Sequence, residues 1–239
     1  MSDKNTLFQH NTLAALMAGL YEGTLSLEQL LAHGDFGIGT LDSIDGELII
    51  YQGKAYQAIG TGSQAEVLAL NGTEMVPYAA VAKHRADKAF YQATPVTDSD
   101  LKEKLETAFP SRNLFYSIQI KGTFQHMHVR MIPKTAPGTR FSQVASQQPE
   151  FQQTAVEGVL VGFWTPELFH GVSVAGYHLH FLSKDHSFGG HVMDFVLEEG
   201  QVEIGILDSL EQDFPRQNQA FLDRRFDVDS LREDITQSE

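Results

Sequence analysis

The chain has 239 residues, no cysteine, 42% hydrophobic and 20% charged residues, and a formal net charge of −14 at pH 7. Without cysteine there are no disulfides, thiolate nucleophiles or thiolate-held metals, so a metal here would need histidine, carboxylate or water. The acidic balance and the lack of a basic stripe oppose binding to nucleic acid or anionic membranes, which call for clustered Lys and Arg.

Met1-Ser2-Asp3-Lys4-Asn5 leads to an apolar stretch, Leu13 to Leu20, that is too short to span a bilayer and lacks a signal-peptide cleavage region. This predicts a soluble cytoplasmic protein. Leu13, Leu16, Met17 and Leu20 recur at helical spacing and predict an amphipathic helix ending near Gly23. Ser26-Leu27-Glu28-Gln29 reads as a capping box for a short second helix closed by Gly34. The pattern then changes to period 2. Asp45-Gly46 and Gln52-Gly53 separate short runs rich in Ile, Leu and Tyr, predicting a strand meander from Phe36 to Ile59, with another strand over Glu66–Leu70. Thr97-Asp98-Ser99 caps a helix carrying Leu101, Leu105 and Ala108 on one side.

Pro110-Ser111 ends this region and marks the expected boundary between a domain over 1–110 and a second over 111–239. Beyond it, Asn113–Ile120 and Thr123–Ile132 are predicted to form a hairpin around Lys121-Gly122. A loop over Pro133–Thr139 and a short helix over Ser142–Gln148 follow. Strands are expected at Glu157–Trp164, Gly176–Leu182, His191–Leu197 and Gln201–Leu207. After Asp213 the tail is polar, with a last helical turn at Asp229–Ile235.

The chemistry concentrates in Gly176-Tyr177-His178-Leu179-His180-Phe181 and Gly189-Gly190-His191. Histidines two apart in a strand share one face. The turn-forming Ser183-Lys184-Asp185-His186-Ser187 suits a hairpin that returns His191 beside them. Three neutral imidazoles leave coordination positions open for water or substrate, the pattern of a catalytic metal site. The bland alternative is a set of core or solvent-facing histidines, which the neighbours Tyr177, Leu179, Phe181 and Leu182 leave little room for. His126 and His128 form a rival pair on one strand face with Arg130 next in the row, but no third histidine stands near them. On spacing alone Arg130 reads as a surface salt-bridge residue, and Glu47, Glu157, Asp194 and Glu198 as ordinary strand carboxylates. Asp185 and His186 sit where they could orient metal ligands or simply be solvated. There is no Gly-x-Ser-x-Gly elbow, Walker loop or dinucleotide-binding turn, which removes support for hydrolase and nucleotide classes.

Gly176–Phe181 with Gly189-Gly190-His191-Val192, His33–Thr40 with Asp45-Gly46-Glu47-Leu48, and Gly158–Pro166 stand in one order along the chain. Together these motifs resemble the α-acetolactate decarboxylase family over nearly the whole length. The resemblance implies that His178, His180 and His191 hold a catalytic zinc ion, that Glu47 is an active-site carboxylate and Arg130 an active-site cation. It also implies a glutamate near the C-terminus, which Glu239 matches best, with Glu233 as the alternative. The implied reaction converts 2-acetolactate to (R)-acetoin and carbon dioxide through a zinc-stabilised enediolate, in a homodimer. Arg130 would hold the substrate carboxylate, and Glu47 or the C-terminal glutamate would deliver the proton that sets the chirality. The fold expected is α+β, a mixed β-sheet N-terminal part packed on a mostly antiparallel C-terminal β-barrel that carries the metal.

Two alternatives stand beside this reading. A cupin-like metal lyase or dioxygenase also uses a His-x-His pair, but adds a glutamate a few residues later, where Lys184 and Asp185 stand here. A non-enzymatic β-protein with a structural metal would need a fourth protein ligand, such as Glu47.

Overall fold

A computed structural model describes residues 4–145, 147–231 and 235. In chain order its strands are β1 (Thr6–His10), β2 (Leu25–Ser26), β3 (Phe36–Thr40), β4 (Glu47–Tyr51), β5 (Lys54–Thr61), β6 (Gln64–Ala69), β7 (Met75–Val76) and β8 (Tyr78–Ala82). They continue with β9 (Lys88–Gln92), β10 (Val96–Thr97), β11 (Phe115–Arg130), β12 (Glu150–Thr165), β13 (Gly176–Ser183), β14 (Gly189–Leu207) and β15 (Ser209–Asp213). The helices are short except for α3: α1 (Leu13–Met17), α2 (Leu27–Leu31), α3 (Asp98–Ala108), α4 (Phe141–Ala145) and α5 (Gln219–Asp223). The protein is mostly β.

Two large sheets carry the fold. The first runs β15-β1-β8-β3-β4-β5-β6, antiparallel except for the parallel β1–β15 pair. The second is antiparallel, ordered β10-β14-β11-β12-β13, with β9 also on β14. The first three residues of β14 pair back onto β13, so the hairpin expected between the second and third histidines is present. Strands from both sides of Pro110 share each sheet: β9 and β10 pair with β14, and β15 pairs with β1.

Period-2 alternation explains the layering. On the first sheet Leu7, Phe36, Ile38, Ile49 and Ala80 face the second sheet, where they meet Ile118, Leu160, Phe163 and Phe181 in one core. Their neighbours Phe8, Leu48, Ile50, Ala79 and Val81 face the other way, onto Leu27 and Leu30 of α2. Ser26 and Gln29 close the expected capping box on α2, and Thr97 caps α3 through the Asp100 amide. The first helix is shorter than its spacing predicts: it stops at Met17, because Gly19 turns the chain with φ of +91°.

Two expected turns are absent. Lys121-Gly122 lies in the middle of β11, and Glu198-Glu199-Gly200 within β14, so both strands run unbroken. Gly122 pairs with Gly158 on one side and Gly200 on the other. A Cβ on Gly122 would stand 2.2 Å from the Glu199 carbonyl oxygen. The glycine therefore serves close approach of three strands, a use that reads like a turn in sequence. Past it, a register shift between Phe124 and His126 makes Gln125 the extra residue of a bulge. The bulge changes which parity faces the core, from Ile118, Ile120 and Phe124 to Met127, Val129 and Met131. His126, His128 and Arg130 are thereby turned together onto the opposite face.

Gly122→Ala is expected to destabilise the fold by about 3 kcal/mol, since the methyl group meets backbone that cannot rotate away. Equilibrium denaturation measures this. A loss below about 0.5 kcal/mol would mean that the three strands separate easily there.

Candidate metal centre and catalytic cavity

Each histidine is positioned by strand pairing. His178 and His180 project from one face of β13, and His180 is the Cα partner of His191 across the hairpin. Gly190 brings β14 into place with φ of +148°, and a Cβ there would press on the Arg130 carbonyl oxygen at 2.9 Å. The three rings lie with centroids 5.0 to 5.6 Å apart, and one ring nitrogen from each falls within 4.8 Å of the others.

Burial determines the chemistry of the trio. Removal from water pushes His180 down to about 4, opposed by its hydrogen bond to Leu48 and assisted by Arg130. Burial, then the charge of neighbouring histidines, takes His178 and His191 well below the usual imidazole range. All three are neutral at pH 7, the form that ligates metals. His180 Nδ1 donates to the Leu48 carbonyl at 2.9 Å, which leaves the lone pair on Nε2. That Nε2 is buried without a hydrogen-bond partner, as is His178 Nδ1. The Glu47 carboxylate stands 3.4 Å from His180 Nε2. A buried imidazole lone pair facing a carboxylate oxygen calls for a cation or proton to join them. The residues fit a divalent metal ion.

Glu47 opens β4 on its inward face. Its Oε1 accepts from the Ile132 amide at 2.9 Å, and the Gly46 amide donates to the Ile132 carbonyl at 3.1 Å. Thr40 Oγ1 holds the Gly46 carbonyl at 2.7 Å. A carboxylate that spacing alone assigns to solvent is thus clamped at 7% exposure. Arg130 ends β11 beside His191, with a guanidinium nitrogen 3.4 Å from His191 Nε2. The surface-salt-bridge reading of Arg130 is overturned by its place in the wall of the same cavity.

That cavity is lined by Glu47, Arg130, His178 and His191 on its polar side, with Thr40, Tyr78 and Gln148. Leu13, Leu16 and Met17 of α1, with Ile44, Ile132 and Phe141, form its apolar wall. Sequence reasoning missed Tyr78, Gln148 and the role of α1 here. These residues come from separate segments, and no local spacing marks them.

The rival histidines are occupied elsewhere. His128 Nδ1 bonds Asp194 at 2.8 Å and its Nε2 meets Glu150 at 3.1 Å, while His126 Nε2 lies 3.2 Å from the same Asp194. Asp185 accepts from Ser183 and Ser187 and builds the hairpin turn, and His186 packs on Tyr56, so neither orients a ligand. Glu239 and Glu233 lie outside the described residues.

The pattern of the α-acetolactate decarboxylase family matches residues 7–228. The chain belongs to the alpha-acetolactate decarboxylase family. It is 56% identical to the alpha-acetolactate decarboxylase of Streptococcus thermophilus and 54% identical to that of Lactococcus lactis subsp. cremoris, each over the full length of both chains. The crystal structure of alpha-acetolactate decarboxylase from Bacillus subtilis strain 168 superposes with a TM-score of 0.93 at 31% identity, covering 98% of this chain and 99% of that one. A Staphylococcus aureus protein described as similar to alpha-acetolactate decarboxylase superposes at 0.94 with 42% identity, over 98% and 100% of the two chains. Family membership makes the protein a carboxy-lyase, an acetolactate decarboxylase, and sets aside the cupin-like and non-enzymatic alternatives. No helix among the described residues is long and apolar enough to cross a membrane.

His180→Ala is expected to weaken divalent-metal binding by about 100-fold, since a candidate ligand nitrogen and its link to Leu48 are both lost. Metal content after dialysis against a defined zinc buffer reads this directly. Full occupancy in the variant would take His180 out of the metal site.

Proposed function

We propose that His178, His180 and His191 hold zinc and that the protein converts 2-acetolactate to (R)-acetoin and carbon dioxide for acetoin biosynthesis. The observation that carries this reading is the pair of buried, unpartnered ring nitrogens on His178 and His180, in a cluster beside Glu47 and Arg130. Zinc bound there supplies Lewis-acid stabilisation of the negative charge that appears when the carboxylate departs.

The protein's own residues do the rest. The bond between C2 and the carboxylate carbon breaks, its electron pair stays with the larger fragment, and a proton takes the place of carbon dioxide. Arg130 presents a planar fork of donors that holds the substrate carboxylate and sets its angle. The apolar wall of Leu13, Leu16, Met17 and Phe141 excludes water and strengthens every charge interaction inside the cavity. Glu47 delivers the proton. Its Oε1 is pinned by the Ile132 amide, so its Oε2 faces the histidines and addresses one side of the bound molecule. Delivery to one face yields a single enantiomer. Glu239 joins Glu47 in this reading as a second carboxylate, the family resemblance implies a homodimer, and the cysteine-free acidic composition suits the cytoplasm.

Glu47→Gln is expected to keep zinc and lower turnover by about 10²–10⁴-fold. Steady-state acetoin formation with metal content measured in parallel checks it. Normal turnover with zinc in place would remove Glu47 from the mechanism. Arg130→Lys is expected to raise KM and lower turnover, because a point charge cannot reproduce the planar fork. An unchanged rate would assign substrate holding to another group.

A further inference from the structure

Among the polar groups lining the cavity, most are engaged. Thr40 donates to Gly46, the Tyr78 hydroxyl bonds Ser173 Oγ at 3.1 Å, Glu47 accepts from Ile132, and Arg130 stands against His191. Gln148 differs. Its Oε1 is buried and has no hydrogen-bond partner among the described residues. A buried amide oxygen without a donor is costly to leave unsatisfied, so such an atom in the wall of a cavity calls for a donor from the cavity's contents.

The backbone at Gln148 is held from both sides. Its amide donates to the Ala145 carbonyl at the end of α4, and the carbonyl of the next residue, Pro149, accepts from Met131. Met131 directly follows Arg130, and Glu150 is the strand partner of Arg130. Gln148 is therefore anchored to the strand end that carries the arginine. Pro149 further limits Gln148 to extended backbone.

The substrate class matches this donor–acceptor arrangement. A 2-hydroxy-3-oxo acid offers acceptors at its carboxylate and ketone and one donor, its hydroxyl. Arg130 has only donors and suits the carboxylate. Gln148 Oε1 is an acceptor and suits the hydroxyl. Resting on the decarboxylase reading above, we propose that Gln148 is the residue that recognises the substrate hydroxyl, orienting C2 between Arg130 and the histidines. It makes the site selective for 2-hydroxy acids over acids of the same shape that lack the hydroxyl.

The test compares the intact protein with Gln148→Met, and with Gln148→Ala should the first not fold. Two stable acids are tested as competitors of the substrate, 2-hydroxy-2-methylpropanoate and 2,2-dimethylpropanoate, in which a methyl group replaces the hydroxyl. The unaltered protein is expected to bind the hydroxy acid more tightly. In the variant the inhibition constant for the hydroxy acid should rise about tenfold, and KM for 2-acetolactate likewise, while that for 2,2-dimethylpropanoate changes less than about twofold. Equal movement of both constants would reveal a merely structural role and overturn the proposal. So would no movement, or no preference for the hydroxy acid in the unaltered protein. Absence of acetoin formation by the unaltered, zinc-loaded protein is a different failure, that of the decarboxylase reading itself.

Discussion

The hydrogen bond from His180 Nδ1 to the Leu48 carbonyl joins the two sheets at the point where their chemistry meets. His180 belongs to the sheet that carries the other two histidines, and Leu48 directly follows Glu47 in β4. One contact therefore sets the imidazole tautomer, turns Nε2 toward the other two histidines and fixes the distance at which Glu47 faces it. Everything proposed for the site depends on that registration. It survives because the core beneath it is continuous, with Ile49 and Phe36 of one sheet packed against Phe163 and Phe181 of the other.

The electrostatics follow from the same burial. Three imidazoles removed from water remain neutral, and the nearby guanidinium of Arg130 disfavours their protonation further. A cavity with a neutral donor-atom cluster, one clamped carboxylate and one arginine is organised before any ligand arrives. Preorganised groups of this kind cost no rearrangement during reaction, which is why a site on two rigid sheets suits a decarboxylase better than one on loops. The apolar wall built by α1 and Phe141 lowers the local dielectric and lets a small number of polar groups act strongly.

Much of this was legible in the sequence where physics acts locally. His178 and His180 share a face because strands alternate, and the Ser183–Ser187 stretch turns His191 back to them. The capping residues Ser26 and Thr97 announce their helices in the same local way. Legibility fails where a residue's use depends on distant neighbours. Gly122 looks like a turn, yet it lets β11 approach β12 and β14. β1 and β8 go unmarked because both of their faces are buried, Leu7 and Phe8 against different cores, so no polar alternation remains to signal a strand. Spacing alone would leave Glu47 and Arg130 at the surface. Glu47 is held inward by the Gly46–Ile132 pairing, Arg130 reaches the cavity because β11 ends opposite His191, and only the family resemblance anticipated either.

Acetoin formation from racemic 2-acetolactate by the purified protein, before chelation, after chelation and after zinc is restored, tests the central claim most directly. Activity is expected to disappear with the metal and return with zinc, with (R)-acetoin as the enantiomer formed. Undiminished activity in demonstrably metal-free protein would contradict it, leaving the three buried histidines without the role assigned to them.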